Sequence, residues 1–262
     1  MPLAGAFRAI QKNGRVYYRS SFTYKNKHIS LGSYLTEVEA HEAYLVAKEL
    51  IRNPHLSIAT YRDDTPIDFD KFVSIINFRD NNVYFHNPIY LYKTYFQYYL
   101  SPTLIYKFDI DDLFYYAEHK ISRRNGHLFL ADYGSQVNFL ARYGIRSHAV
   151  AGRDYIFLNG DSHDFSYDNI QIINRYNGVH KVKRGVYTKY MAKILVNGTY
   201  TIGTYDTEEQ AAIAYNKAAD IIKKKMPNKN FRQNYVDTIS AKEYVECYSS
   251  LPVSARIMRD FG

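Results

Sequence analysis

Cysteine is nearly missing: the 262 residues contain one, Cys247. A single thiol excludes an intramolecular disulfide and any zinc site built from cysteines, and it fits a reducing cytoplasm. Long apolar runs are missing too. Although 46% of the residues are hydrophobic, no stretch approaches the roughly 18 to 20 residues that a helix needs to cross a bilayer, and no membrane partner is expected. Met1 to Arg8 show no basic start leading into a long apolar segment, so no secretion signal is expected. Tryptophan is absent, against 28 tyrosines. The surplus of Tyr, Lys, Asn and Ile is read as genome composition before it is read as chemistry.

What is present is positive charge, and it is uneven. The formal net charge is +8. Residues 1–53 carry eight Lys/Arg against four acids, and residues 178–232 carry eleven against four. Residues 54–177 carry twelve against fourteen, and residues 233–262 three against four. Two basic blocks therefore flank a slightly acidic middle. Such blocks attract polyanions, and a phosphate backbone is the commonest of these. A basic face also serves plain solubility, so charge alone leaves both readings open.

The two basic blocks are also copies of one another. Gly5-Ala6-Phe7 begins a segment that passes through Tyr18, Leu31-Gly32-Ser33-Tyr34, Thr36-Glu37, Ala40, Ala43-Tyr44 and Ala47. Gly178-Val179-His180 begins a second that passes through Tyr190, Ile202-Gly203-Thr204-Tyr205, Thr207-Glu208, Ala211, Ala214-Tyr215 and Ala218. From Gly32 and Gly203 onward the offset is constant at 171; it is 172 at Tyr18 and Tyr190 and 173 at Gly5 and Gly178, a one-residue difference in each hairpin loop. Internal repeats of this kind mark repeated structural units. In each copy three alternating runs predict three strands, in the second at about 178–183, 189–196 and 199–205. Asn197-Gly198 predicts a tight hairpin, and Lys12-Asn13-Gly14 a similar turn. Thr36 and Thr207 predict helix N-caps, followed by acids in the first turn that suit the helix dipole. Alanines three and four apart then let each helix lie close on its sheet.

At these residues both segments resemble the plant ethylene-response-factor type of DNA-binding domain, which also accompanies phage homing nucleases. The second copy carries the resemblance over about 45 residues, through Gly178-Val179, Tyr190-Met191-Ala192-Lys193-Ile194, Ile202-Gly203-Thr204-Tyr205 and Thr207 to Ala219. The first is looser, with Ser20 where the family usually has alanine. The resemblance implies a sheet in the DNA major groove with the helix behind it. Strand alternation then sorts the residues. Tyr18, Ser20 and Phe22, and Tyr190, Ala192 and Ile194, are expected to face the helix. Tyr17, Arg19, Ser21, Thr23, His28 and Ser30, and Lys189, Met191, Lys193, Thr199 and Thr201, are expected to face DNA. Arg8, Arg15, Lys25 and Lys27, and His180, Lys181, Lys183 and Arg184, are expected to add phosphate contacts. Arg and Lys read guanine or hold phosphate, and hydroxyls do either more weakly. For any one of these residues a solvated surface position is the bland alternative.

Between the copies, Arg153 to Asp161 leads into Ser162-His163-Asp164-Phe165-Ser166-Tyr167-Asp168-Asn169-Ile170. The spacing from Asn159-Gly160-Asp161 to Asp168-Asn169-Ile170 resembles the HNH nuclease motif of phage homing endonucleases, and Arg146 to Gly152 resembles the short helix entering it. The chemistry needs a histidine to activate water and a neighbouring Asp or His to hold a divalent metal. The resemblance puts that pair at Ile156 and Phe157, which can do neither. His148 and His163 are the remaining candidates for a relocated base, with an ordinary surface or core histidine as the alternative for both. Asp164 and Asn169 match positions that support the fold. The aromatic-rich stretch before this region is expected to be core, with a dimer face as the alternative. Asp109, Asp111 and Asp112 are read as a helix start rather than a metal site. A further helix is expected around 240–249.

Together these readings give an α+β chain in which two sheet-plus-helix domains, 1–53 and 178–232, flank a connecting region, 54–119, and a degenerate HNH-like domain, 120–177, with a tail at 233–262. The expected activity is sequence-specific binding of double-stranded DNA without catalysis, as a regulator descended from a phage homing endonuclease. No cofactor or metal is expected for that function, and a homodimer stays open. An active, Mg-dependent nuclease with a rearranged site is the first alternative. A structural protein that binds RNA or a protein partner is the second.

Overall fold

The computed structural model describes the chain except residues 1, 126, 133–134 and 147–148, and, within strands, except the side chains of 131–132, 135–138 and 184. The architecture is α+β: several small antiparallel sheets and six α-helices among the described residues. The chain forms two compact units, one of residues 1–139 with 161–169, the other of 140–160 with 170–262. None of the described helices is long and apolar enough to cross a membrane.

The first unit opens with strands β1 (Ala6–Ile10), β2 (Val16–Tyr24) and β3 (Lys27–Tyr34), paired in chain order, and helix α1 (Glu37–Arg52). Helix α2 (Phe69–Asn81) follows, then a second sheet of β4 (Ile89–Leu91), β5 (Tyr95–Ser101) and β6 (Leu104–Asp109), helix α3 (Leu113–Glu118), and a third sheet of β7 (Ile121–Arg124), β8 (His127–Asp132) and β9 (Ser135–Asn138). The aromatics of the second sheet are largely core: Phe96, Tyr98 and Phe108 are fully buried. The segment 161–169 lies along β6, where Lys107 N–H donates to His163 O at 2.9 Å and Phe165 N–H to Lys107 O at 2.8 Å. Asp109 accepts from the Tyr167 N–H at 2.8 Å and Asp112 from the Tyr167 hydroxyl at 3.2 Å. The acidic cluster thus stands at a helix start, but these two members hold a loop rather than cap the helix.

The second unit contains a short pair, β10 (Tyr155–Phe157) with β11 (Ile170–Ile172), then the sheet of β12 (Val179–Arg184), β13 (Tyr187–Leu195) and β14 (Thr199–Tyr205). Helices α4 (Glu208–Lys225), α5 (Ala241–Ser250) and α6 (Ala255–Phe261) complete it.

The repeat read from the sequence is a repeat of structure. Thr36 and Thr207 each close a capping box, with Glu39 and Gln210 returning the bond. Ala40, Ala43 and Ala47, and Ala211, Ala214 and Ala218, are fully buried, so each helix axis lies close to its sheet. Both sheets carry the same β-bulge. Ser20 pairs with Gly32 and Ser21 with Ser30, which leaves Leu31 extra; Ala192 pairs with Gly203 and Lys193 with Thr201, which leaves Ile202 extra. Leu31 and Ile202 are both buried, so the bulge turns one more apolar side chain into the core. Glu37 and Glu208, first in their helices, accept from the backbone N–H of the lead-in residues Leu3 and Arg175, at 2.7 and 2.8 Å.

The structural repeat runs further than the sequence signal. The Tyr34 hydroxyl donates to Pro66 O and the Tyr205 hydroxyl to Pro252 O, each at 2.7 Å. Burial pushes both phenols up to about 12, with Asp68 adding to the effect on Tyr34, so both remain donors. Each proline opens a short lead-in to a helix, α2 in the first unit and α6 in the second. Ile67 and Ile257, in these following segments, are buried in the respective cores.

One difference between the copies is unfavourable. Ser20 is fully buried and its Oγ has no hydrogen-bond partner, while Ala192 fills the matching place. Replacing a buried, unpaired hydroxyl with hydrogen removes a desolvation cost. Ser20→Ala is therefore expected to raise unfolding free energy by about 1 kcal/mol. Denaturant titration measures this, and a lower midpoint at unchanged slope would refute it.

Candidate nucleic-acid interface

In an antiparallel sheet, residues paired across strands project to the same side. The register therefore sorts each sheet into a face against its helix and an open face. In the first copy the open rows are Phe7 with Arg19 and Ser33, Ala9 with Tyr17, Ser21 with Ser30, and Thr23 with His28. In the second they are His180 with Met191 and Thr204, Val182 with Lys189, Lys193 with Thr201, and Leu195 with Thr199. The opposite rows carry the core: Phe22, Ala192 and Ile194 are buried.

Arg19, Thr23, His28 and Ser30, and Thr199 and Thr201, are exposed, while Tyr17, Lys189, Met191 and Lys193 are half-buried. Ser21 is the exception. It sits at the bulge and is only 9% exposed, too little to reach a ligand with its full side chain. Arg19 is held in place: its Nε and Nη2 donate to the Tyr17 hydroxyl at 3.0 and 2.7 Å, and its guanidinium lies 5.5 Å from the ring centroid. The remaining edge of the guanidinium has no side-chain partner among the described residues and stays open to a planar acceptor pair. Lys189 forms an ion pair with Asp206.

The residues expected at phosphates lie at the margins. Arg8 shares a row with Tyr18, and Lys181 with Tyr190, so both start from the helix side of their sheets. Lys183 pairs with Thr188 on that side as well. All three are exposed, as are Arg15, Lys25 and Lys27. Lys25 and Asn26 turn the β2–β3 hairpin with φ of 44° and 61°. The Lys25 ammonium meets the Asn82 side chain, and that of Lys27 lies 5.5 Å from the Tyr84 ring centroid. The side chain of Arg184 lies outside the described residues.

The register adds six residues that were not singled out in the sequence: Phe7, Ala9, Ser33, Val182, Leu195 and Thr204. Ser33 and Thr204 follow Gly32 and Gly203 directly and complete the rows of Arg19 and Met191. Phe7 and Leu195 are 56% and 71% exposed, so both open faces carry an apolar side chain beside their polar ones. Leu195 continues the alternation of Lys189, Met191 and Lys193 along β13; the signal for the others was pairing across strands, which a single strand's alternation does not contain.

His180 is half-buried at the start of β12. Burial, then the charges of Arg153 and Lys193, press its imidazole below the ordinary value, so it is neutral at pH 7. The nearby carboxylate of Asp154 is buried. It accepts from Val150 N–H at 2.8 Å, from Arg153 Nη2 at 2.8 Å and from Asn174 Nδ2 at 3.2 Å, and pairs with Arg146 Nη2 at 3.0 Å. Burial alone would raise this carboxyl. The Arg153 and Val150 hydrogen bonds, the Arg146 charge and the Asn174 amide outweigh it and hold the group at about 2.

The stretch that resembles a nuclease motif is built differently from an acid–base site. Ile156 and Phe157 are strand residues of β10, paired with Gln171 and Ile170. The Asp164 carboxylate pairs with Lys107 Nζ at 3.0 Å and accepts from the Ser166 hydroxyl at 2.6 Å. Asn169 Nδ2 donates to Asp164 O at 2.8 Å. Both side chains fix the loop that follows β10. His163 is exposed, with its ring 5.2 Å from that of Tyr106 and Nδ1 3.4 Å from Asp161 Oδ1. His148 lies outside the described residues. Residues 149–152 form no helix. Among the described residues, no group of three His, Cys, Asp or Glu side chains is placed to hold a metal ion. Compared with protein-family models, with curated proteins and with solved structures, the chain gives no match.

Proposed function

We propose that this chain binds double-stranded DNA through the open faces of its two repeated sheets, as a sequence-specific and non-catalytic regulator descended from a phage homing endonuclease. One observation carries the reading. The two copies share a register, a bulge and a helix-packing scheme, and both keep free of their helices the same sheet face, set with Arg, Lys, His and hydroxyl side chains. Maintaining a fold explains the shared cores; it does not explain why both faces turned away from the helices carry polar and basic side chains. Strands can enter the major groove, where such side chains meet base edges and the flanking cations meet phosphates. The absence of catalysis rests on Ile156 and Phe157, which occupy the positions where the resembled motif places its base and metal ligand.

The test is selection of duplexes from a random pool on the full chain, with and without Mg²⁺ or Mn²⁺. The expected product is intact duplex enriched in one sequence. Its affinity should fall steeply with salt, by about a thousandfold between 50 and 200 mM if some six phosphates are contacted. Equal retention of RNA or single strands, or no enrichment, would sink the reading. Metal-dependent cleavage abolished by His148→Ala or His163→Ala would replace it with the nuclease.

A further inference from the structure

We infer that the second unit carries a separate ligand site, a cleft that takes a nucleoside monophosphate. The cleft is open to solvent and offers about 640 Å³ between the lead-in to β12 and the segment that follows α4, within the range of small-molecule sites, about 300 to 1,000 Å³. Arg146, Arg175 and Arg232 line it with one acid, Asp237, and Tyr235 stands at the same wall; Arg146 is already paired with Asp154, which leaves Arg175 and Arg232 to face that acid.

The walls are fixed before any ligand arrives. Asn177 N–H donates to Asn234 Oδ1 at 2.6 Å, and Asn234 Nδ2 returns the bond to Asn177 O at 3.1 Å. Asn234 N–H also donates to Asn216 Oδ1, on α4, at 2.7 Å. A preformed cleft loses little entropy on binding. Two polar atoms in its lining residues are unsatisfied. Arg146 Nε is buried without a hydrogen-bond partner. The Arg175 guanidinium approaches the Tyr176 hydroxyl, but short of hydrogen-bond geometry, so that buried oxygen is unsatisfied as well. Buried polar atoms are seldom left so, and each calls for an explanation such as an absent ligand or water.

The chemistry of the lining selects the ligand class. Guanidinium forks bind phosphate in two-point fashion. Arg232 is exposed and has no ion-pair partner among the described residues, so its fork is available. Tyr235 is 84% exposed, an aromatic face in solvent beside that charge. A base stacks on such a face whatever its identity. A free mononucleotide and the phosphorylated end of a DNA strand present the same chemistry. The strand-end source rests on the duplex-binding reading; the free-nucleotide source does not.

The experiment is calorimetric titration of the full chain with dAMP, with inorganic phosphate, and with short single strands bearing a 5′-phosphate or a 5′-hydroxyl. Saturable dAMP binding is expected. Arg232→Ala should weaken dAMP and phosphate alike, by about tenfold or more, while Tyr235→Ala should weaken dAMP by about tenfold and leave phosphate unchanged. Both side chains are exposed, so neither change threatens the fold. Preference for the 5′-phosphorylated strand over dAMP assigns the strand end, and the reverse order assigns the free nucleotide. No saturable dAMP binding at millimolar concentration, or unchanged dAMP affinity in both variants, would overturn the site. Duplex binding in the same preparations keeps the two readings apart. Lost nucleotide binding with duplex binding retained is failure of the cleft alone. Absent duplex binding beside intact nucleotide binding is failure of the sheet faces alone.

Discussion

Gly178→Ala is expected to lower the unfolding free energy of its unit by about 3 kcal/mol, the largest loss from any single methyl group in the repeat. Two effects combine. Gly178 has φ of +70°, where an L-residue costs roughly 1–2 kcal/mol. A Cβ there would also overlap the Lys193 carbonyl oxygen and the Tyr215 ring, and overpacking costs typically 1–3 kcal/mol. The carbonyl cannot yield, because Lys193 N–H donates to Gly178 O at 2.7 Å and ties the two strands at that point. Gly5 is the equivalent, with φ of +75° and the Tyr44 ring over it. Its nearest obstacles are all side-chain atoms of Tyr44. The copies should therefore differ in a double-mutant cycle. Tyr44→Ala removes the ring but keeps the Cβ that would also overlap, so it should absorb part of the cost of Gly5→Ala, whereas Tyr215→Ala should leave most of that of Gly178→Ala. Thermal unfolding reads the single change as a fall of roughly 12 °C for a unit of 114 residues. A loss below about 1 kcal/mol would mean that the strand pair shifts freely, contrary to the shared bulge.

That glycine was legible in the sequence as part of a repeat, but its partner was not. The strands, the Thr caps and the alanine stripes follow from local periodicity and short-range hydrogen bonding, and they lie where the sequence places them. So does the helix at Ala241–Ser250, which begins on a capping box at Ser240. Other features depend on contacts distant in sequence. Tyr34 reaches Pro66 across 32 residues and Tyr205 reaches Pro252 across 47, a parallel that no constant offset reveals because α5 intervenes in the second unit only. Helix α6 was missed for the same reason: it is short, and what fixes it is burial of Ile257 against α4, a tertiary effect.

The candidate interface was legible to the same degree. Alternation along a strand separates Arg19, Lys189 and Lys193 from the core residues beside them. It cannot say that Ser21 is closed in at a bulge, or that Ser33 and Thr204 join the open rows, since both depend on the partner strand. Nor can it show that Arg19 is clamped by Tyr17 or that Lys189 is paired with Asp206. These contacts make the two faces unequal. The first presents one fixed guanidinium where the second, at the matching place, presents Met191. The motif between the copies was legible as a spacing. Its polar members hold loops by hydrogen bonds to backbone that only the folded chain supplies.

Arg19→Ala and Lys193→Ala should accordingly weaken duplex binding in different ways. Arg19 offers a fixed planar fork, so its loss should cost about 1–3 kcal/mol on the selected sequence and flatten preference at one base pair. The salt dependence should barely change. Lys193, a point charge on a flexible stem, should act on phosphate. Its loss should weaken binding about equally on all sequences and reduce the slope of log affinity against log salt by about 1. The combined variant is the more informative. The two side chains sit on different copies and share no partner, so their free-energy costs should add if one duplex engages both faces. Simultaneous engagement also multiplies affinity by the effective concentration of the second face, about 10²- to 10⁴-fold in overall avidity. If each duplex met only one face, the variant that spared that face would bind like the parent, and the double variant would match the weaker single. Anisotropy titrations of the four proteins on the selected duplex, at two salt concentrations, distinguish the cases. Additive losses would make the repeat a single bipartite reader of DNA, and a silent single variant would reduce it to one reader and one structural relic.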